Sequence, residues 1–132
     1  MERRIVNPWT WQDRFGFVQA NDVRGAERTV HCAGQTSVDA NGEPLHEGDM
    51  AAQVGQALDN LETILRECGL SLADVVRLNY FTTDVDGFIA AGGPVLGARF
   101  ASSGCRPAST LLGVTRLARP ELLVEIEATA VQ

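Results

Sequence analysis

Two acids near the C-terminal end are the side chains best placed for chemistry. Glu125 and Glu127 are separated by one residue within an alternating apolar pattern that predicts a strand. Because successive side chains of a strand point to opposite faces, both carboxylates share one face about 6–7 Å apart, close enough to interact or to hold a water molecule. A solvated strand face is the favoured explanation of the pair unless the two acids are buried at an oligomer interface. The alternating apolar residues are Leu122, Val124, Ile126, Ala128 and Ala130.

Other catalytic groups are scarce. All eleven basic residues are arginine, so the chain cannot form a lysine Schiff base with a substrate or with pyridoxal phosphate. His31 and Cys32 are adjacent in a predicted strand and point to opposite faces, and His46 is isolated in a polar segment, so we expect no metal. The three cysteines form no CxxC motif and are expected to be structural thiols. No cofactor is implied.

Composition narrows the class of protein further. A chain of 132 residues with 45% apolar residues fits one domain over residues 1–132. The formal charge of −6 is spread along the chain and opposes binding to nucleic acid. No apolar run approaches the roughly 20 residues that span a bilayer, so we expect a cytoplasmic protein without membrane contact.

The periodicity predicts the order β-β-β-α-β-α-β-β. The strongest signal is an apolar stripe that begins after Asp49, a good N-cap, and ends before Gly69, a good C-cap. In the strand at 74–83, Val75, Arg77, Asn79 and Phe81 are predicted to share one face. The predicted elements are strands at 2–6, 15–20, 27–33, 74–83, 110–114 and 122–130, and helices at 49–68 and 85–103, the second bent by Gly92-Gly93-Pro94.

Two helices can cover only one face of such a sheet. The other face would carry Glu125, Glu127 and Thr129 together with the apolar residues Leu123 and Val131. A sheet face that is partly apolar and uncovered predicts self-association.

Several short motifs, in the same order along nearly the whole chain, resemble the RidA family, also called YjgF/YER057c/UK114. The resemblance implies an α+β, chorismate-mutase-like fold with a mixed β-sheet and two helices packed on one face. It also implies a homotrimer with a central β-barrel and ligand clefts between subunits. The motifs are Ala33-Gly34-Gln35, Ala51-Ala52-Gln53, Leu58-Asp59-Asn60-Leu61, Asp74-Val75-Val76, Arg106-Pro107-Ala108-Ser109-Thr110 and Val124-Glu125-Ile126-Glu127-Ala128.

Family members with deaminase activity hydrolyse enamines and imines derived from amino acids to 2-oxo acids and ammonia. By the resemblance, Glu127 matches the acid that positions water, and Gly34 matches a backbone donor near the substrate carboxylate. Ser109 stands where those members have an arginine that binds this carboxylate in a forked geometry. Arg106 lies three residues earlier and could replace that arginine only if the chain turned at Pro107.

The resemblance implies two further substrate-binding positions. Phe17 stands where a tyrosine is usual, which removes a hydroxyl. Leu111 replaces a frequent cysteine whose backbone N–H matters. In the leading hypothesis about the mechanism, Glu127 acts as acid and base, and Ser109 and Thr110 supply hydroxyl donors.

Three hypotheses about function stay open. The first is a trimer with an inter-subunit pocket for a small metabolite that hydrolyses an enamine or imine of a non-standard substrate. The second is a standard 2-iminobutanoate/2-iminopropanoate deaminase, a hydrolase, that uses another arginine. The third is a trimer that binds a ligand or acts like a chaperone without catalysis. A nuclease activity, another label in the family, is disfavoured by the acidic charge.

Overall fold

The computed structural model describes all 132 residues, and its strands and helices follow the predicted order. The second helical segment covers residues 85–103 in three parts, of which the middle part, Phe88–Gly92, is a π-helical turn. The elements are β1 (Glu2–Val6), β2 (Ala20–Arg24), β3 (Thr29–Gln35), α1 (Met50–Glu67), β4 (Val75–Thr82), α2 (Val85–Gly87), α3 (Gly93–Ser103), β5 (Ala108–Gly113) and β6 (Val124–Val131).

The strands form two sheets. β1 and β2 make an antiparallel hairpin, and the other four strands form a mixed sheet in the order β3-β6-β4-β5. β6 is antiparallel to both of its neighbours, whereas β4 and β5 are parallel. A parallel pair requires a long crossover, and the helical segment 85–103 provides it.

Helix α1 supplies most of the core. The side chain of Asp49 caps its N-terminus by accepting a hydrogen bond from the backbone N–H of Ala52, and Gly69 follows its C-terminus with a left-handed φ of +71°. Five of the six residues in the predicted stripe are buried against the sheet, and Cys68 at its end is partly buried. The prediction for this helix is therefore confirmed. The buried stripe residues are Met50, Val54, Leu58, Leu61 and Leu65.

The predicted bend in the second helical segment is the π-helical turn before Pro94. Proline has no backbone N–H and its ring clashes with the carbonyl four residues earlier, so a wider turn at this point relieves the conflict. Gly92, at the end of the turn, lies so close to α1 that an added Cβ would be 3.0 Å from Cγ2 of Val54. Glycine here allows the crossover to pack closely on the core.

The N-terminal hairpin is attached to the main sheet by polar contacts. The Arg3 guanidinium donates hydrogen bonds to the carbonyl oxygens of Ala73, Val75 and Arg106 at 2.8–3.1 Å. Asn21 accepts a bond from Nε of Arg3 and donates to the carbonyl oxygen of Arg106. The start of β5 is thereby held in place by the hairpin.

The predicted position of the second strand is wrong. Residues 15–18 do not form a strand, since Phe15 ends a short 3-10 turn, and β2 instead includes Asn21 and Asp22, which were expected to terminate it. Both residues are retained in the strand because their side chains pair with arginines of β1: Asn21 with Arg3, and Asp22 with Arg4 at 2.9 Å.

Two predictions about side-chain direction are also wrong. A register shift between Val75 and Arg77 turns Val75 into the core, away from the face of Arg77. Val131 is already buried within the single chain, and Leu123 packs partly against its core. Neither of these two residues supplies the exposed apolar surface that was expected for self-association.

Substitution of two glycines near α1 should have opposite effects. Gly55 lies inside the helix with nothing within 4 Å of an added Cβ, so Gly55→Ala should raise the free energy of unfolding by about 0.5–1 kcal/mol. Gly69→Ala should lower it by about 1–2 kcal/mol because alanine is strained at φ +71°. Urea unfolding measures both, and destabilisation by Gly55→Ala would contradict the helix as described.

The three cysteines are free, and Cys32 and Cys105 are buried. Burial raises the pKa of Cys105 from 9.0 to about 12. The folded protein therefore holds this proton more tightly than the unfolded chain. The resulting stabilisation is complete below pH 9 and is lost as the pH rises towards 12.

At pH 8, a thiol reagent should modify Cys68 rapidly in the native protein and the two buried thiols only after unfolding. A Cys68→Ser variant should lose the rapid phase. Equal reaction rates for all three thiols would contradict this burial pattern.

Candidate functional site

Helices cover one face of the four-stranded sheet, and the opposite face, here called the open face, carries a row of polar side chains. In the strand register, Asn79 of β4 lies opposite Glu127 of β6 on one side and Thr110 of β5 on the other. The Asn79 Nδ2 group donates a hydrogen bond to Oε1 of Glu127 at 2.9 Å. The predicted residues Glu127 and Thr110 therefore belong to one row, with Asn79 between them.

Asn79 is suited to hold Glu127 in either protonation state. Its Oδ1 atom is buried and has no hydrogen-bond partner. When the Glu127 carboxylate is ionised, the amide N–H donates to it; when Glu127 is protonated, a rotated amide can accept its O–H through Oδ1. A carboxyl group supported in this way can release and take back a proton without losing its position.

Gly34 lies at the β3 end of this row. Cys32 pairs with Ala128 and Gln35 with Ile126, so the intervening residues of β3 bulge opposite Glu127. An added Cβ at Gly34 would collide with the carboxylate of Glu125. The glycine therefore allows the Glu125 side chain to lie against the β3 backbone, and it brings Gly34 close to the two acids.

Arg77 is a residue of the open face that was not included among the predicted site residues. Its Nη2 group donates a hydrogen bond to Oγ1 of Thr110 at 2.6 Å, and it forms no ion pair with an acid of the chain. The predicted alternation with Asn79 and Phe81 was the signal that could have identified it. Its contact with Thr110 depends on the pairing of β4 with β5, which the sequence does not specify.

Two other predicted residues lie on the helix-covered face. Ser109 pairs with Leu78, and Leu111 pairs with Tyr80. Both of these β4 partners are buried under the helices. Leu111 packs against the core. Within one chain, Ser109 and Leu111 therefore cannot share a pocket with Glu127.

Phe17 and Arg106 line a groove beside α3, together with Phe100. The Phe17 ring packs edge-to-face against Trp11, with centroids 5.8 Å apart. The carbonyl oxygen of Arg106 is fixed by the hairpin, and its side chain is exposed at the groove rather than on the open face. Arg106 does not reach the row of Glu127 in the single chain.

The seven predicted site residues thus divide into two groups. The open face contains Gly34, Thr110 and Glu127, whereas the helix side and the adjacent groove contain Phe17, Arg106, Ser109 and Leu111. A single site that used both groups would require residues from two copies of the chain. No three His, Cys, Asp or Glu side chains are grouped so that they could hold a metal ion, and no helix is both long and apolar enough to cross a membrane.

Comparisons with known proteins give a consistent result. Residues 14–132 match the family model described as Endoribonuclease L-PSP. The crystal structure of the Rid family protein YyfB from Yersinia pestis superposes with a TM-score of 0.89, at 41% identity over 100% of both chains. The fold is therefore the α+β, chorismate-mutase-like type that the sequence predicted.

The names of two further relatives state an activity or a bound ligand. A 2-iminobutanoate/2-iminopropanoate deaminase of Salmonella typhimurium is 30% identical over 116 residues, which cover 88% of this chain and 87% of the relative. The crystal structure of Escherichia coli TdcF with bound serine has a TM-score of 0.71 and 30% identity, and the match covers 88% of this chain and 87% of TdcF.

Proposed function

Because this chain belongs to the RidA (YjgF/YER057c/UK114) family, we propose that it is a homotrimer whose inter-subunit pocket hydrolyses an enamine or imine of a small metabolite. The observation that carries this proposal is the hydrogen-bonded pair of Asn79 and Glu127 on the open face. No metal or cofactor takes part in the proposed chemistry.

The distribution of the site residues supports assembly through the open face. The two groups of candidate residues lie on different sides of the sheet, so a second copy is needed to bring them together. The open face also bears Phe81 and Leu112 beside its polar row, and Leu112 is 51% exposed in the single chain. Burial of this apolar surface between subunits would favour assembly.

The proposed reaction needs one group that exchanges protons with water. Water attacks the carbon of the protonated imine while Glu127 accepts a proton from that water, and the electrons of the C=N π bond move to nitrogen, which gives a neutral carbinolamine. Glu127 then returns the proton to the amine nitrogen. The C–N bond breaks with its electrons leaving on ammonia, and the hydroxyl group loses its proton to give the carbonyl product. An enamine enters the same sequence after protonation at carbon.

The position of Ser109 bears on the choice of substrate. Its short side chain cannot form the forked contact of an arginine with a carboxylate, and it lies on the face opposite Glu127. We therefore propose that the substrate differs from those of the arginine-bearing deaminases in how it is held. Despite the name of the family model, RNA is a poor substrate because the chain has a formal charge of −6.

A matched pair of surface substitutions tests the assembly. Leu112→Glu places a charge on the open face and should convert the trimer to monomers, whereas Ile89→Glu, at a helical residue that is 50% exposed, should leave it trimeric. Light scattering with size-exclusion chromatography measures the mass. A trimer that survives Leu112→Glu, or a wild-type protein that is monomeric at micromolar concentration, would refute assembly through this face.

Replacement of the proposed acid tests the chemistry. Glu127→Gln keeps the shape of the side chain but cannot exchange a proton, so it should reduce imine hydrolysis by about 100-fold or more. Glu67→Gln, on the exposed surface of α1, serves as the control and should retain full activity. The assay follows ammonia release from imines generated in situ by amino acid and amine oxidases.

Full activity of the Glu127→Gln variant would exclude Glu127 as the acid-base group. A second contrary outcome is that the wild-type trimer binds 2-oxo acids and yet leaves the rate of ammonia release from the imine the same as in buffer alone. In that case the hypothesis of a ligand-binding protein replaces that of an enzyme.

A further inference from the structure

We propose that Arg77, with the hydroxyl group of Thr110, binds the anionic group of the substrate in the pocket that contains Glu127. This inference rests on the proposed function and adds to it a residue that determines specificity for substrates that carry a carboxylate. It gives the anion-binding role to a residue of β4 rather than to position 109 of β5.

The first observation is that Arg77 is a cation without an acidic partner. It is the only arginine in the four strands of the main sheet, and its side chain is on the open face. Four other arginines form ion pairs with acids, namely Arg4, Arg24, Arg99 and Arg119. Arg77 instead makes one hydrogen bond, from Nη2 to Oγ1 of Thr110, and its other N–H groups have no partner in the chain.

The second observation is the geometry of the Thr110 hydroxyl. Because Oγ1 accepts the bond from Arg77 at 2.6 Å, its own hydrogen remains free to donate. A carboxylate beside the pair could therefore accept one hydrogen bond from the guanidinium and one from the hydroxyl. Hydrogen bonds to a charged carboxylate are stronger than those between neutral groups.

The third observation is the place of this pair in the row of polar side chains. Thr110 lies one strand spacing, ~4.8 Å, from Asn79 and two spacings, ~9.6 Å, from Glu127, whose carboxylate accepts a hydrogen bond from the Asn79 amide. A molecule whose carboxylate is attached to the carbon of a C=N bond could contact both pairs at once. The carboxylate would face Arg77, and the reacting carbon would face the water held by Glu127.

The experiment compares two imines that differ only in the carboxylate. One is formed by oxidation of 2-aminobutanoate and the other by oxidation of propylamine. Arg77→Met should lower kcat/KM for the carboxylate-bearing imine by about 10- to 100-fold, mainly through KM, and change the value for the neutral imine by less than about 2-fold. Arg66→Met, at an exposed arginine of α1 that also donates to a threonine hydroxyl, is the control and should change neither value.

Binding of the product 2-oxobutanoate, followed by calorimetry, tests the inference independently of turnover. The wild-type trimer should bind it, Arg77→Met should weaken binding by at least 10-fold, and Thr110→Val should weaken it by a smaller factor. Light scattering on each variant verifies that the trimer remains intact.

The outcomes separate this inference from the proposed function. If Arg77→Met leaves both kinetic values and oxo-acid binding unchanged while Glu127→Gln abolishes turnover, the function stands and the inference fails. If Arg77→Met dissociates the trimer or reduces the rates for both imines equally, Arg77 is an interface residue and the inference also fails.

Discussion

The pairing of β6 between β3 and β4 is the interaction on which the rest of the structure depends. Alternate residues of β6 are fully or almost fully buried beneath α1, and burial of Val124 and of Ile126 contributes on the order of 1.5–3 kcal/mol each. The same alternation places Glu125 and Glu127 on the open face. A slip of one residue in the register of β6 would turn the acids into the core and the apolar residues onto the open face. Burial of the apolar residues therefore fixes the direction of the acids. The buried residues of this strand are Val124, Ile126, Ala128, Ala130 and Val131.

Two local irregularities modify this regular alternation and define the candidate site. The bulge before Gln35 brings the backbone of Gly34 to the carboxylate of Glu125. The register shift after Val75 lets Val75 enter the core while Arg77 remains on the open face. Both bulges lie in strands that flank β6, where they alter side-chain direction without disrupting the central pairing.

The division of the candidate residues between two sides of the sheet gives a physical reason for the proposed assembly. The open face offers an acid supported by an amide and a cation supported by a hydroxyl, but it has no wall that would exclude water in a single chain. The groove lined by Phe17 and Arg106 lies elsewhere on the surface. A pocket closed by a second subunit would strengthen these electrostatic contacts by lowering the local dielectric constant. Assembly and catalysis are linked in this proposal for that reason.

The sequence by itself determined the elements whose signals are local. Helix α1 followed from its apolar period and from the caps Asp49 and Gly69, and the bend before Pro94 followed from the chemistry of proline. The order of strands and helices was also predicted, and the family was recognised, because both depend on short segments taken in chain order. The second strand was misplaced because Asn21 and Asp22 are held there by arginines of β1.

Only the tertiary structure decided which side chains meet. Asn79 reaches Glu127 across 48 residues of sequence, and Arg77 reaches Thr110 across 33. Strand alternation places Ser109 and Thr110 on opposite faces, but only the packed sheet shows that Ser109 is the residue under the helices. The physical reason is that a strand's partners and register are set by hydrogen bonds and burial between distant segments, and a single bulge reverses the faces that local alternation predicts.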